Sequence, residues 1–362
     1  MSSTESVSPH GVVVCACGTQ EYTARDAVDA AIFRGEVEEK WQKFLCNVAA
    51  EGHADDLELE LDESAISAAA KDFRYRHDLI TAEETEAWLA NRGLTFDNFT
   101  DYLARQYCVD AVDEDVSPEE IRYTSAAPEL RDLFLAELIL SGALEDMTTK
   151  LTWRLAARCA GKEPTSEAIA AEKRKFLHRI GIDPAQLANW LEELGRDSQW
   201  LNEMLAIEAA YEAHCDTLLV SEARQRELMA LRLHLTRFEI ELIELESHDA
   251  AKEALFCVRE DGMSMEEVAT EGRYPYRRAE FLLEDVPADA QQKYLSVSPG
   301  NVLEPIPHGD GFELCRIIAK IEPQADDPSV KSRVDQRLLD QYFSDLTTKY
   351  THSRLSVPVS VE

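Results

Sequence analysis

Apolar residues recur at three- and four-residue spacing through most of the first 235 positions, and this periodicity predicts a largely helical region. A short β-branched run, VVVCAC at 12–17, comes first and reads as a strand ended by Gly18. Thr23 with Asp26 then opens a helical pattern as a near capping box. Trp41, Phe44, Leu45 and Val48 continue it as one buried face. The acidic stretch AEGHADDLELELDES predicts a solvated loop. Ile66 to Phe73 resumes the helix, and Thr81 with Glu84 caps the next one, which Gly93 ends. Phe96, Phe99, Leu103 and Tyr107 mark a further amphipathic helix. Ser117-Pro118-Glu119-Glu120 reads as another helix start, and Pro128 to Ala160 as one long helical region.

Two of these blocks repeat. TAEETEAWLANRGLTFDNFTDYLARQ (81–106) aligns with DPAQLANWLEELGRDSQWLNEMLAIE (183–208) at an offset of 102. Trp88 matches Trp190, Leu89 matches Leu191, Gly93 matches Gly195 and Leu103 matches Leu205. The helix starts coincide too, Thr81 with Glu84 against Asp183 with Gln186. AISAAAKDF (65–73) matches AIAAEKRKF (168–176), and Gly35 sits opposite Gly142. A period near one hundred residues predicts a duplicated helical module rather than a solenoid. Trp88 and Trp190, at helical spacing, are expected in the core.

After Leu235 the period falls to two. RFEIELIELES puts Phe238, Ile240 and Leu242 on one face and Glu239 and Glu241 on the other, the pattern of a strand. HDAAKEALFCVREDG and MSMEEVATEG predict two short helices. Arg277 to Glu284 fits either strand or loop, and VPADAQQKYLSVSPG a short helix and turn. NVLEPI predicts an edge strand broken by Pro305, His308-Gly309-Asp310-Gly311 a hairpin turn, and GFELCRIIAKIEP the closing strand. Residues 327–350 form a last amphipathic helix with Val330, Val334, Leu338, Leu339, Tyr342, Phe343 and Leu346 on its stripe.

Composition narrows the function classes. The 362 residues carry 37 basic and 70 acidic side chains, a net charge of −33. That field repels phosphate and disfavours unaided nucleic-acid binding, leaving neutral or basic peptides as compatible partners. No run of 18 apolar residues exists, so no membrane insertion is expected. Met1 to His10 lack the basic and apolar regions of a secretory signal, which with eight mostly isolated cysteines and no CxxC pair predicts a reducing, cytoplasmic setting. Cys15 and Cys17 with His10 are the one conceivable metal set. Their i, i+2 spacing inside an apolar run fits one strand face better, so no metal or other cofactor is expected. Nucleotide, zinc-protease and nucleophile-elbow motifs are absent.

The block 236–323 resembles a parvulin-type peptidyl-prolyl isomerase domain. DG-SMEEVA (261–269) is similar to the parvulin G-x-x-F-x-x-L-A helix. VSPGNVLEPIPHGDGFELCRIIAKIEP (297–323) is similar to the parvulin ending, with its Pro-Gly turn, proline strand and Gly-aromatic hairpin. WLANRGLTFDNFTDYLARQ looks like the helical region that precedes this domain in SurA-like and PpiC-type chaperones. The resemblance implies an α+β, mostly α fold. It comprises a first helical module (1–125), a second that repeats it (126–235), a parvulin-like antiparallel sheet domain (236–323), and a C-terminal helix and tail (324–362) packing back on the helical region.

The family pattern also implies two histidines, and both are missing. The first strand, T-R-F-E-I-E-L, has none, and Glu313 follows Gly311-Phe312 where G-Y/F-H is expected. His308 and Glu313 remain the weak catalytic candidates, and Phe238, Met263, Met265 and Phe312 the candidates to line a peptide groove; ordinary core packing is the competing reading of the last three. The resemblance thus implies a protein that holds or presents an unfolded or ribosomally made precursor peptide, as accessory factors of bacterial peptide maturation do. Three alternatives stay open: an active prolyl isomerase, a peptide-modifying enzyme, and a structural homodimer.

Overall fold

The computed structural model describes residues 8–112, 117–118 and 121–354. Fifteen α-helices and seven strands occur among them. The chain divides into two compact units, one holding the chain up to Asp216 and again from Gln341, the other Thr217–Asp340.

The first unit is built from two runs of five helices. After β1 (Val13–Cys17) and β2 (Gln20–Thr23) come α1 (Ala24–Phe33), α2 (Glu38–Asp56), α3 (Glu63–Arg76), α4 (Ala82–Ala90) and α5 (Phe96–Ala111). The second run is α6 (Pro128–Leu140), α7 (Ala143–Ala160), α8 (Ser166–Ile180), α9 (Leu187–Leu194) and α10 (Ser198–Leu218). The matched positions behave alike. Gly35 and Gly142 take the left-handed backbone conformation at φ 70° and 80°, as do Gly93 and Gly195 at 69° and 68°. In each run an α3- or α8-borne phenylalanine meets the repeated tryptophan edge-on. Phe73 and Trp88 have ring centroids 5.4 Å apart, and Phe176 and Trp190 are also 5.4 Å apart. One continuous core, from Val14 through Trp41 and Phe134 to Ile207, spans both runs.

The helix boundaries correct several expectations. Pro128 to Ala160 is two helices, because the left-handed Gly142 turns the chain between them. The acidic stretch is helical as far as Asp56, since Ala50 and Ala54 are buried on the core side of α2; only 57–62 is loop. Ser117 and Pro118 are not helical, and Glu119 and Glu120 lie outside the described residues. Of Met1 to His10, the first seven also lie outside them. Capping boxes form at Thr23–Asp26, Thr81–Glu84 and Asp183–Gln186.

The second unit opens with α11 (Ser221–Ala230) and β3 (Arg237–Leu245). Then follow α12 (His248–Arg259), α13 (Met265–Gly272), β4 (Tyr276–Leu282), α14 (Ala288–Ser296), β5 (Ile306–His308) and β6 (Gly311–Ile321). The antiparallel order is β4-β3-β6-β5. The ambiguous segment at 277–284 is therefore strand as far as Leu282, within seven residues paired to β3 from Leu282 opposite Arg237 to Tyr276 opposite Ile243, and a 3-10 turn follows at Leu283. The edge strand lies after Pro305, not before it; ahead of Pro305, NVLEPI contributes one isolated bridge, Val302 to Arg316. Pro305 has no N–H for the ladder, and pairing starts only beyond it. Glu241 is 8% exposed rather than solvated. It accepts from the Tyr276 hydroxyl at 2.9 Å and from Arg278 at 3.1 Å.

The last helix, α15 (Pro328–Tyr350), serves both units. Its first turns bury Val330 and Val334 with Leu235 and Leu282 of the second unit. In its last turns Phe343 stacks on Trp153 and Tyr211 of the first unit, at 5.3 and 5.0 Å. β7 (Thr351–Ser353) then pairs with β1, giving the order β2-β1-β7. No helix is long and apolar enough to cross a membrane among the described residues.

Candidate functional site

The sheet of the second unit has two covered faces. Period-two alternation sends Ile243, Leu245 and Leu314 toward Ala251, Ala254 and Leu255 of α12 and Met265 and Val268 of α13. The opposite face carries Phe238, Ile240, Leu242, Cys315 and Ile317, packed against Leu283, Tyr294 and Leu303.

The four proposed groove residues therefore separate. Phe238 is 0% exposed, its ring stacked on Phe281 at 5.4 Å and edge-on to Tyr294 at 6.1 Å, with the Lys320 ammonium 5.3 Å above it. Met265, Met263 and Phe312 belong to the cluster on the other face, and Met265 is also 0% exposed. Neither Phe238 nor Met265 has surface to offer a peptide, because each fills the interior between sheet and helices. Phe312 is half-buried, its ring 5.1 Å from that of His248. Met263 lines an open cavity of about 650 Å³, with Arg259, Ser264, Asn301 and Arg316 around it.

Glu313 and Glu244 sit directly opposite each other on β6 and β3. Two like charges at that spacing repel, and Arg277 on β4 lies between them, at 3.0 Å from Glu313 and 3.3 Å from Glu244. His308 is mostly exposed, its Nε2 3.8 Å from Glu313. Glu313 is thus a member of an ion pair with Arg277. Nearby, burial and then the Glu313 charge hold the Cys315 thiol up at about 12. Burial, then Cys315 and Glu313, hold the Tyr294 hydroxyl at about 12 as well. Both stay protonated at neutral pH.

The first unit supplies a different kind of site. A cleft of about 550 Å³ opens where the two helix runs meet. Its apolar wall is Ile32, Val37, Tyr123, Ile180, Ile182 and Trp190. Glu38, Arg122, Gln186, Asn189 and Glu193 add polar groups. Each part has a local cause. Left-handed glycines, Gly35 at φ 70° and Gly181 at 66°, end α1 and α8 and turn both chains at the cleft. The linker between the runs contributes Tyr123, buried against Trp41 at 5.3 Å. Trp190 packs one edge on Phe176 and stays half-buried, so it is not fully core as its spacing suggested. The sequence pattern carried no sign of this cleft, because it needs residues from both copies and from the linker.

His10, the third member of the conceivable metal set, hydrogen-bonds Asp132 at 2.7 Å. Burial pushes the Cys15 thiol up to about 12, and no three-residue ligand group forms among the described residues.

No protein-family model matches the chain, and no curated protein matches it. Solved structures do. A peptidylprolyl isomerase, PrsA of Bacillus cereus, is 13% identical over 67% of this chain and 92% of its own, with a TM-score of 0.38. The foldase PrsA of Lactococcus lactis is 11% identical over 94% of both chains, with a TM-score of 0.25. A structure from work on the SurA-like chaperones PEB4 and Cj1289 of Campylobacter jejuni is 9% identical over 59% of this chain and 88% of its own, with a TM-score of 0.20. These matches assign no residue role. The chain is similar to these peptidylprolyl isomerase, foldase and SurA-like chaperone structures, each at low identity.

Proposed function

We propose that the chain is a chaperone-type protein that holds an extended, neutral to basic peptide in the cleft between its two helix runs, and that its sheet unit does not catalyse prolyl isomerisation. The observation that carries the reading is the cleft itself: an apolar wall with a half-exposed tryptophan, edged by amide and charged side chains that can meet a peptide backbone. The net charge of −33 favours a partner without excess acid.

The loss of catalysis is supported from the sheet unit. Rotation about an X-Pro bond faces a barrier of about 18–20 kcal/mol, and lowering it requires an apolar seat for the ring beside a group that favours the twisted amide. Phe238, Phe281 and Tyr294 fill one sheet face with their own rings. The place expected for a histidine holds Glu313, paired with Arg277. A ribosomally made precursor is the peptide class the sequence resemblance suggests.

The test titrates a fluorescently labelled Xaa-Pro peptide of net positive charge with the full chain and follows cis/trans exchange in parallel, without a protease. Stoichiometric binding that weakens at least about tenfold in Trp190→Ala, a loss of about 1.4 kcal/mol, with no acceleration of exchange, is expected. Acceleration at catalytic amounts overturns the inactive sheet unit. Absence of binding, or equal binding by Trp190→Ala, overturns the cleft.

A further inference from the structure

The surface around α3 carries charge and apolar area that the peptide cleft does not use. The chain entering this helix is acidic. Asp55, Asp56, Glu58, Glu60, Asp62 and Glu63 are all exposed, and Leu57 and Leu61 stand among them at 59% and 45% exposure. The far end is basic, with Lys71, Arg74 and Arg76. Tyr75 there is 70% exposed and Ile80, just past the helix, 76%, the two most exposed large apolar side chains among the described residues. No carboxylate lies within ion-pair distance of the three cations among the described residues; Lys71 sits 5.6 Å from the Tyr75 ring and Arg74 donates to the Ile80 carbonyl. Helical spacing puts Ser64, Ala68, Lys71 and Tyr75 on one side of α3, opposite Phe73, its buried residue. The repeated module does not require this surface. In the second run the connection into α8, 161–165, holds one acid, Glu163, paired with Arg158 at 2.7 Å, and His178 stands where Tyr75 does in the first.

We infer that α3 is the seat of a two-fold contact between two copies of this chain, with the two α3 helices antiparallel. Each copy's acidic, leucine-bearing entry then meets the other's Lys71, Tyr75, Arg76 and Ile80. One surface carries both halves of the match, so the two contacts are identical, as a closed pair requires. The 14 residues of α3 span about 21 Å, which keeps the acidic and basic blocks apart. A parallel pair would set like charges opposite each other; the antiparallel pair sets acid against base at both ends. Acid at the start of a helix and base at its end also suit its own dipole, but that leaves Leu57, Leu61, Tyr75 and Ile80 in water, whereas the paired copy covers all four. The net charge of −33 opposes association at long range, so the local match selects this face. None of these residues lines the peptide cleft.

The test follows the full chain by sedimentation equilibrium across micromolar concentrations, where a monomer–dimer equilibrium is expected. Glu58→Lys with Glu60→Lys, and separately Lys71→Glu with Arg76→Glu, set like charges against each other and should each weaken the dimer at least about tenfold. Mixing the two variants should restore association to within about threefold of the native chain, because a basic entry then faces an acidic helix end and an acidic entry a basic one. Lys173→Glu with Arg174→Glu on α8 makes the same change in net charge as the second pair and should leave the dimer in place. All these side chains are exposed, and far-UV circular dichroism checks that each variant is folded. A chain that stays monomeric, a dimer that neither α3 pair weakens, an α8 control that weakens it equally, or a mixture that fails to re-form it overturns the inference.

Discussion

Replacing Phe343 by alanine tests how the last helix is held to the helical unit. The ring is 0% exposed, stacked on Trp153 at 5.3 Å and 15° and on Tyr211 at 5.0 Å and 28°, with Tyr342 edge-on at 5.1 Å. A fully buried phenylalanine truncated to alanine costs about 3–5 kcal/mol. Three ring partners argue for the upper half of that range, since each aromatic pair adds about 0.5–1.5 kcal/mol beyond area burial. All five tryptophans, at 41, 88, 153, 190 and 200, lie in the first unit, so intrinsic fluorescence follows that unit alone. With a urea slope of about 3 kcal/mol/M, a loss of about 4 kcal/mol moves the fluorescence midpoint down by about 1.3 M. Phe256→Ala, at a side chain 59% exposed in the second unit, should leave that midpoint in place. A Phe343→Ala shift below about 0.5 M would mean that the stack contributes little and that β7 alone retains the chain end.

Two further perturbations use the same readout. Gly195→Ala forces an alanine into φ 68° and sets its Cβ 2.9 Å from the Arg25 guanidinium, whereas Gly181→Ala at φ 66° meets open space. Both should cost about 1–2 kcal/mol, with Gly195→Ala the larger, and equal losses would show that Arg25 yields freely. His77 lies 4.3 Å from the Phe73 ring and 4.9 Å from Trp88; burial first holds its pKa below the ordinary value, the nearby Arg92 and Arg76 charges act the same way, and Glu145 opposes them. The folded state then binds the proton less readily than the unfolded chain, so this contribution is complete above the unfolded value of about 6.5 and is lost as pH falls through the folded one. The urea midpoint should drop between pH 7.5 and 5.5 more steeply for the native chain than for His77→Phe, and parallel slopes would remove His77 from the account.

Local chemistry was legible where a single segment decides the outcome. The boxes Thr81–Glu84 and Asp183–Gln186 close by hydrogen bonds over three residues, so neighbouring side chains suffice to predict them. The helix starts at Thr95 with Asn98 and at Ser264 with Glu267 obey the same rule and could have been read alongside them. The break at Gly142 is also local, but its apolar neighbours Leu138, Ile139, Leu140 and Leu144 keep the helical period running across it. Strand β4 failed for another reason: Arg277, Arg278 and Glu280 face outward at the sheet edge, so the segment lacks the apolar alternation that marks a strand, and its seven-residue ladder with β3 is what orders it.

The candidate site lay one level further from the sequence. The sequence shows Glu313 after Gly311-Phe312, but the partner that pairs with that carboxylate, Arg277, sits 36 residues earlier and meets it only once β4 is paired. Phe238, placed on the right face by alternation, was given a groove that Phe281 and Tyr294 already fill. Alternation along one strand determines which way a side chain points and says nothing about what waits there. The cleft shows the same limit from the other side. Duplication of Gly35 and Gly142, and of Trp88 and Trp190, shows that two copies exist, yet the copies are not used alike. Trp88 is buried with the Arg92 guanidinium 3.9 Å over its ring, while Trp190 stays half-buried and lines the cleft with Ile180 and Asn189. The repeat preserves the Phe–Trp contact but leaves Trp190 less buried than its twin, and under the proposed function that difference is why Trp190, rather than Trp88, is the residue on which peptide affinity should depend.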